Sequence, residues 1–327
     1  MRKSIVYLCM LAAFLVTSVS FIVLFYKHDK SVFVPVQKIV NKKAQPAFSQ
    51  MIYGGFDEDS LSKPMDVAVI NQFIYITDTN NKRVQVFDLG GTQFFEFGKE
   101  GEGKGQFKFP YGVTGNQQGQ VYVSDLYNGA ISIFDSKGNF LRYFAENDPK
   151  EKVIESPGSI RIYQDKLYVA DIQKSKVLIF DLTGKLLKEV GELGQKPGQF
   201  RAPNALTVDK DGNLCVVDTG NQRVQIFNKD GKFIRLINGN VNGAGTSVFV
   251  NPRGIGIDSR NILYVVSNLT HYIYGFDLTD QTGKSLFTFG GNGESNTQFS
   301  LPNGLYVDEN DNVYITDTGN QRVAVYK

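Results

Sequence analysis

Short apolar segments alternate with polar turns along most of the chain, from Phe48 to the C-terminus. The segments are rich in Val, Ile, Tyr and Phe, and Gly, Asn and Asp separate them, as in "IYITD" ending at Asp78. Segments of this kind that recur about every 8 to 12 residues are typical of β-strands joined by turns. Long amphipathic helical periods are absent, so the pattern predicts an all-β domain over residues 48–327.

The strand pattern itself repeats. A proline opens each unit, and successive opening prolines are 46 to 50 residues apart. The six opening prolines are Pro64, Pro110, Pro157, Pro203, Pro252 and Pro302. Each unit contains four short apolar segments. The first is β-branched, and the second ends in Asp in five of the six units. The third resembles "RVQIF" and the fourth resembles "KFIRLI". Four strands in about 47 residues are the content of one propeller blade, so the sequence predicts a six-bladed β-propeller.

The two ends of the domain are complementary. The last unit stops at "RVAVY", after its third strand, whereas "FSQMIYGG" at Phe48–Gly55 resembles the fourth strands of other units. We expect this N-terminal strand to complete the last blade, because closure of the ring removes the unpaired edges of an open array.

Three motifs give the repeats a family resemblance. The P-x-x-[VI] opening, the [IV]-Y-[IV]-[TSA]-D strand and the D-T-x-N-x-R-[VI]-x-[VI]-[FY] hairpin resemble NHL repeats. The resemblance runs from Phe48 to the C-terminus, is strongest in units one, four and six, and implies a six-bladed propeller. It specifies the fold far better than the function. WD and kelch propellers fit less well because the chain contains no Trp.

The N-terminus has a different composition. The 23 residues of Ser4–Tyr26 are uncharged and mostly apolar, and as a helix they would extend roughly 34 Å, enough to cross a bilayer core of about 30 Å. A cleavable signal peptide is the alternative, with Ser18 and Ser20 near its cleavage site. The apolar run continues beyond that point. Residues 1–26 therefore predict an uncleaved transmembrane signal-anchor, and residues 27–47 predict a stalk.

The membrane orientation depends on opposing charge signals. Arg2 and Lys3 favour a cytoplasmic N-terminus, whereas the five lysines of residues 27–43 favour the reverse. Large domains are translocated largely regardless of charge. We therefore expect a single-pass membrane protein with an extracytoplasmic propeller.

The strand-ending acids of five units and the hairpin arginines of three units are expected to be structural, because an active site around a ring axis needs different residues on different blades. Asp side chains readily bond turn backbone groups, and Asp218 and Arg223 flank a turn across which they could pair. The repeated set comprises Asp78, Arg83, Asp125, Asp171, Asp218, Arg223, Asp317 and Arg322.

Units two and five depart from this pattern. Ala130 replaces the arginine in "DLYNGAI", and Ser267 and Tyr272 replace the acid and the arginine in "SNLTHYI". These changes are either drift in a tolerant loop or the mark of a partner surface, for which tyrosine suits because it offers contact area at small entropic cost. The candidate partner surface comprises Tyr127, Ala130, Ser267, His271 and Tyr272.

The positions after the opening prolines are chemically varied. The first strands of a propeller line its channel, so these positions are expected at one mouth, where they either form a specific pocket or simply line the channel. They hold Met65, Tyr111, Gly158, Asn204, Arg253 and Asn303. The candidate ligand-binding residues are Asp66, Tyr111, Asn204, Arg253 and Asn303.

Scarce residue types exclude several kinds of site. With only His28, His271, Cys9 and Cys215, the chain cannot form a multi-histidine or cysteine zinc site or a disulfide framework. Among NHL-like propellers, the peptidyl-amidating lyases use histidine-bound metal, which this chain cannot reproduce.

Two asparagines support an enzymatic alternative. Asn204 and Asn303 resemble the ligand asparagines of calcium-dependent lactonase propellers, whose central Glu and Asp have no evident counterpart here. A calcium-dependent hydrolase, lactonase or lyase centred on Asp66, Asn204 and Asn303 is thus the alternative function.

The favoured hypothesis is a membrane-anchored, non-catalytic propeller that binds a protein or small-molecule ligand with one face, as sensor, scaffold or assembly factor. No catalytic residue, metal or cofactor is expected, calcium excepted in the alternative. A net charge of +2 indicates no polyanion partner. Nucleic-acid binding, as in animal NHL proteins that recognise RNA, is not expected.

Overall fold

The structure is a computed structural model that describes residues 45–55, 57–145 and 153–327. These residues form six four-stranded antiparallel sheets, which confirms the predicted all-β, six-bladed propeller. The predicted membrane anchor and residues 27–44 of the predicted stalk lie outside the described residues. Within the described part of the chain, no helix has the length and apolar character needed to cross a membrane.

The first three blades each contain four strands that pair in chain order. Strand β1 (Phe48–Ile52) precedes them. The first blade has β2 (Pro64–Ile70), β3 (Phe73–Asp78), β4 (Arg83–Asp88) and β5 (Gln93–Phe97). The second has β6 (Pro110–Gly115), β7 (Val121–Asp125), β8 (Ala130–Phe134) and β9 (Phe140–Tyr143). The third has β10 (Pro157–Tyr163), β11 (Lys166–Asp171), β12 (Lys176–Asp181) and β13 (Leu186–Val190).

The last three blades continue the pattern. The fourth has β14 (Pro203–Val208), β15 (Leu214–Asp218), β16 (Arg223–Phe227) and β17 (Phe233–Ile237). The fifth has β18 (Pro252–Ile257), β19 (Ile262–Ser267), β20 (Tyr272–Asp277) and β21 (Ser285–Gly290). The sixth has β22 (Leu305–Val307), β23 (Val313–Asp317) and β24 (Arg322–Tyr326). Short 3₁₀ helices lie at Asp57–Asp59, Thr219–Asn221, Val241–Gly243, Asn268–Thr270 and Thr318–Asn320.

The sixth blade is completed from the other end of the domain. Strand β1 pairs antiparallel with β24, with Phe48 opposite Tyr326 and Ile52 opposite Val323. The closing strand expected from the sequence is therefore present. One boundary differs, since β22 begins at Leu305 rather than at the opening proline.

Apolar side chains fill the space between neighbouring sheets. Phe97 of the first blade and Phe134 of the second lie 4.6 Å apart, ring centroid to ring centroid. Phe107, Phe200 and Phe299 come from the loops that connect blades, and all three are fully buried. These anchors fix the connecting loops against the sheets.

Small residues let the blades approach each other around the channel. A Cβ atom on Gly254 would lie 2.3 Å from the Asn303 carbonyl oxygen, and one on Gly304 would lie 2.5 Å from that of Met65. No side chain fits at these two positions, so glycine keeps the first strands of the fifth, sixth and first blades in close contact.

One face of the propeller carries three kinds of segment: the starts of the first strands, the hairpins between second and third strands, and the connections between blades. The strand register shows this, because Pro64 pairs with Asp78 and Pro203 pairs with Asp218. We call this surface the hairpin face. It carries the candidate residues of both the channel mouth and the partner surface.

Candidate functional site

The repeated acids connect each hairpin to the loop before its blade. The Asp218 carboxylate accepts hydrogen bonds from the Arg201 backbone N–H at 2.7 Å, Arg223 Nε at 2.8 Å and Gln225 Nε2 at 3.0 Å. Asp78 and Asp317 are bound in the same way, by the amides of Ser62 and Ser300 and by Arg83 and Arg322. Burial raises the pKa of Asp317 above its ordinary range, although hydrogen bonds to its carboxylate oppose that shift.

The acids of the second and third blades have no arginine across their hairpins. Asp125 accepts from the backbone amides of Lys108 at 2.6 Å and Phe109 at 3.1 Å. Asp171 accepts from the Glu155 amide at 2.7 Å. The link from hairpin to loop is thus kept in both blades, and Ala130, half-buried at the start of β8, leaves the arginine position without a charge.

In the fifth blade a hydroxyl takes the place of the carboxylate. Ser267 is fully buried, and its Oγ accepts a hydrogen bond of 2.9 Å from the Val250 backbone N–H. Its assignment to a partner surface is therefore wrong, because a side chain without exposure cannot contact a partner. His271 and Tyr272 are half-buried, and His271 Nδ1 accepts from the Leu301 amide at 3.1 Å.

A series of tilted aromatic rings leads from the hairpin of the second blade to the channel. Tyr127 is 67% exposed, and its ring centroid lies 4.7 Å from that of Phe109. Phe109 lies 6.4 Å from the buried Tyr111, and the Lys63 ammonium lies 5.0 Å from the centre of the Phe109 ring. We call Lys63, Phe109, Tyr111 and Tyr127 the aromatic edge. It joins the two predicted groups of site residues into one surface.

A polar chain continues from the aromatic edge into the mouth. The Tyr111 hydroxyl donates to Asn204 Oδ1 at 3.1 Å, and Arg253 donates to the same oxygen at 2.7 Å. Burial raises the pKa of Tyr111, while the nearby Arg253 opposes that shift. The phenol therefore stays protonated and acts as a donor near neutral pH. Asn303 lies on the other side, where its amide contacts the Met65 sulfur at 3.4 Å.

A pocket of about 220 Å³, which includes its open mouth, lies at the centre of the hairpin face. Its lining includes four of the candidate ligand-binding residues, Asp66, Tyr111, Arg253 and Asn303, and Asn204 is bonded to two of them. Two further polar residues in the lining, Ser159 and Arg161, were missed. Their signal was a serine and an arginine inside the predicted strand "SIRIY".

Arg161 forms the floor of the pocket together with Asp66. Its guanidinium donates to the two Asp66 carboxylate oxygens at 2.9 and 3.1 Å, and to the Leu305 carbonyl oxygen at 3.2 Å. Burial disfavours the charged guanidinium, but the Asp66 carboxylate outweighs this and raises the pKa of Arg161. The pair links the third blade to the first across the channel.

Ser159 is a buried polar residue of the pocket whose side chain lacks a hydrogen-bond partner among the described residues. The residue is 3% exposed, and the atom concerned is its Oγ. A buried hydroxyl without a partner costs free energy, on the order of 1–3 kcal/mol. Such a group in a pocket lining requires an explanation.

The pocket residues do not fit a calcium ion. Calcium is bound by free oxygen atoms of carboxylates and amides. The Asp66 carboxylate is already bound by Arg161, and Asn204 Oδ1 faces the positive charge of Arg253. Within residues 45–55, 57–145 and 153–327, no group of three or more His, Cys, Asp and Glu side chains is arranged to hold a metal.

Comparison with known families returns two matches. A family described as "6-bladed beta-propeller" matches residues 114–221 and 210–285, which together are more than half of the 327-residue chain. A second, described as "NHL repeat", matches residues 61–87 and 299–326. The two matches cover different blades of the same ring.

Curated relatives are much longer than this chain. Protein brain tumor of Drosophila melanogaster is 27% identical over 196 residues, which are 60% of this chain and 14% of that protein. NHL repeat-containing protein 2 of Homo sapiens is 24% identical over an alignment that covers 83% of this chain and 40% of that protein. The chain thus spans less than half the length of either relative.

Solved structures show the same fold at low identity. A streptogramin B lyase structure is 14% identical, with a TM-score of 0.57, and covers 85% of this chain and 96% of that one. A protein of unknown function from Bacteroides thetaiotaomicron is 14% identical, with a TM-score of 0.59, and covers 86% of this chain and 72% of that one. At these identities the likeness concerns the fold alone.

Proposed function

The chain belongs to the six-bladed β-propeller family, and we propose that it is a membrane-anchored, non-catalytic member that binds a protein partner with its hairpin face. In this role it acts as a sensor, scaffold or assembly factor. The proposal for the membrane depends on the apolar segment Ser4–Tyr26. The proposal for the partner depends on the side chains of the hairpin face.

One observation carries the proposal: the aromatic edge leads without interruption from exposed Tyr127 to the pocket. Tyr127 is one of several large apolar side chains left exposed on the hairpin face, where buried contact with a partner would remove them from water. The others on this face are Tyr53, Leu193, Val241, Val250, Leu269 and Leu301. An aromatic side chain surrounded by apolar contacts is typical of the centre of a protein interface.

The positive charges at the channel mouth indicate which side chains a partner would bring to this surface. Lys63 and Arg253 lie at the mouth, and neither forms an ion pair with any carboxylate of the described residues. A partner segment with both apolar and acidic side chains would complement this surface. A nucleic acid would require a broad basic face, and the net charge of +2 gives no indication of one.

A calcium-dependent hydrolase, lactonase or lyase is the runner-up, and we propose that the protein binds no calcium at the mouth. A lyase occurs among the similar structures, but at 14% identity. Calcium titration of the purified protein tests this directly. Stoichiometric binding that Asn204→Ala and Asn303→Ala abolish would favour the enzyme instead.

Site-specific photocrosslinking tests the partner surface. A photoreactive phenylalanine analogue is placed at Tyr127 in the full-length protein in its native membranes, and adducts are identified by mass spectrometry. Phe94 is the matched control, because it is an aromatic side chain 66% exposed on the outer strand β5. We expect one defined protein to be crosslinked at position 127 and not at position 94.

The identified partner is then purified and its affinity measured. Removal of a central interface aromatic typically costs about 2 kcal/mol or more, so Tyr127→Ala is expected to weaken binding at least about thirtyfold. Phe94→Ala is expected to leave the affinity unchanged. Equal crosslinking at both positions, or equal effects of both substitutions, would contradict the proposal. Protease accessibility of the propeller in intact cells tests the extracytoplasmic orientation.

A further inference from the structure

We propose that the pocket at the channel mouth binds a carboxylate group that a ligand presents at the hairpin face. The inference deepens the proposed function, and rests on it only in that the pocket opens on the same face. It depends on two groups of the pocket, the Arg253 guanidinium and the Ser159 hydroxyl.

Arg253 supplies the positive charge. One of its nitrogen atoms donates to Asn204 Oδ1 at 2.7 Å, which fixes the side chain in place. No carboxylate of the described residues pairs with it, in contrast to Arg161. A guanidinium held on one side by an amide oxygen retains donors for an anion on its other side, and carboxylates match its planar geometry.

Ser159 supplies a donor. Its hydroxyl is buried in the lining and has no protein partner among the described residues, so it is available to donate to a ligand atom. A carboxylate has two acceptor oxygens. One can accept from Arg253 and the other from Ser159, which satisfies both groups at once.

The floor of the pocket selects a single negative charge. Asp66 and Arg161 neutralise each other, which leaves Arg253 as the one uncompensated charge in the lining. A phosphate carries more negative charge than Arg253 can balance and would lie near the Asp66 carboxylate, where like charges repel. The electrostatics therefore favour a carboxylate over a phosphate.

The size of the pocket indicates a terminal group. Its volume of about 220 Å³ includes the open mouth, and the enclosed part has room for about one water-sized group, so a ligand inserts only the end of its carboxylate. Two sources offer the same chemistry: a free small carboxylate, and a carboxylate on a protein segment that docks on the aromatic edge.

Binding of defined probes to the purified full-length protein tests the proposal. The probes are acetate, N-acetyl-dialanine with a free C-terminal carboxylate, its C-terminal amide, N-acetylglutamic acid α-amide and inorganic phosphate, all compared at equal ionic strength by ligand-observed NMR. We expect the acids to bind and the amide of dialanine not to bind. Acetate alone among the acids would identify a free carboxylate as the source, and tighter binding of a peptide acid would identify a protein segment.

Three variants locate the binding. Arg253→Gln is expected to weaken the best probe at least about tenfold, since it removes a charged hydrogen bond. Ser159→Ala is expected to weaken it severalfold while the urea midpoint of unfolding stays the same or rises. Arg201→Gln, which removes an exposed arginine of the hairpin face outside the pocket, is expected to have no effect.

The contrary outcomes are distinct. If Ser159→Ala raises stability and leaves probe affinity unchanged, the orphan hydroxyl is a packing defect and the proposal is wrong. Tighter binding of phosphate, or no binding of any acid, also overturns it. None of these three results bears on crosslinking at Tyr127. A pocket that binds acetate without any crosslink at Tyr127 contradicts only the proposed function.

Discussion

Arg161 in the third blade holds both carboxylate oxygens of Asp66 in the first blade, with hydrogen bonds of 2.9 and 3.1 Å. The two residues belong to blades that are not neighbours in the ring. Their ion pair therefore spans the channel, and both side chains are largely removed from water.

Loss of one partner from this pair should be far more costly than loss of a surface ion pair. We expect Arg161→Met to lower the free energy of unfolding by about 3–5 kcal/mol, because it leaves a buried carboxylate without its cation. The double variant Asp66→Leu with Arg161→Met should recover part of that loss. Urea unfolding measures both.

Lys176 and Glu189 provide the control pair on the outer strands of the third blade. Both are partly exposed, so Glu189→Ala is expected to cost no more than about 1 kcal/mol. Equal losses for Arg161→Met and Glu189→Ala would show that the channel pair is not an interior contact.

His271 should make stability depend on pH. Burial lowers the pKa of His271 below its ordinary 6.5, and its neutral Nδ1 accepts from the Leu301 amide. The unfolded chain therefore binds more protons than the folded one between the lowered pKa and 6.5. The contribution of His271 to the free energy of unfolding is fully present above pH 6.5 and is lost as the pH falls towards the lowered pKa.

A matched substitution isolates this effect. The equivalent hairpin positions hold Gln222 and Gln321 at φ of 53° and 55°, close to the 61° of His271. We expect His271→Gln to fold and to lose less stability than the wild type between about pH 7.5 and pH 5. Parallel losses of the urea midpoint in both proteins would mean that another group titrates.

Strand β1 should stabilise the whole ring rather than one blade. Ile52 is 2% exposed and packs against the first and sixth blades. We expect Ile52→Ala to cost about 2–5 kcal/mol and to shift a single cooperative melt. Ser49→Ala, on the exposed side of the same strand, should have little effect. Deletion of residues 48–53 with an unchanged melt would contradict closure by this strand.

Cys215 should report unfolding. Its thiol is fully buried, and burial raises its pKa, so the reactive thiolate does not form in the folded protein. In a Cys9→Ser background, we expect thiol reagents to label Cys215 at the rate of opening of the fold. Rapid labelling under native conditions would show that the fourth blade opens locally. Cys215→Ser supplies the blank.

The fold could be predicted because each unit carries its own signals. An opening proline and a strand-ending Asp such as Asp78 lie within about 15 residues of each other, and both are read locally. The prediction for Ser267 was wrong for a physical reason. A serine hydroxyl can accept a hydrogen bond from the same backbone N–H as an Asp carboxylate, so the replacement of Asp by Ser keeps a buried contact and does not mark a partner surface.

The contacts of the candidate site were harder to predict from the sequence, because they join residues of blades that are far apart in the chain. Arg161 meets Asp66 across the channel, and no local pattern encodes which first strands face each other. The link from Tyr127 to Tyr111 could have been found, since Pro110 pairs with Asp125 and places the hairpin of the second blade beside the start of its own first strand.

The pairing of β1 with β24 has a consequence for biosynthesis. The ribosome makes β1 before the other described strands and β24 after them. The strands of the first five blades can pair with each other during translation, whereas β1 has no partner until β24 is made. The unpaired edges of β1 could therefore pair with other chains during that time. Contacts between such remote segments also form slowly. We therefore expect the pairing of β1 with β24 to be the last step in the folding of the ring.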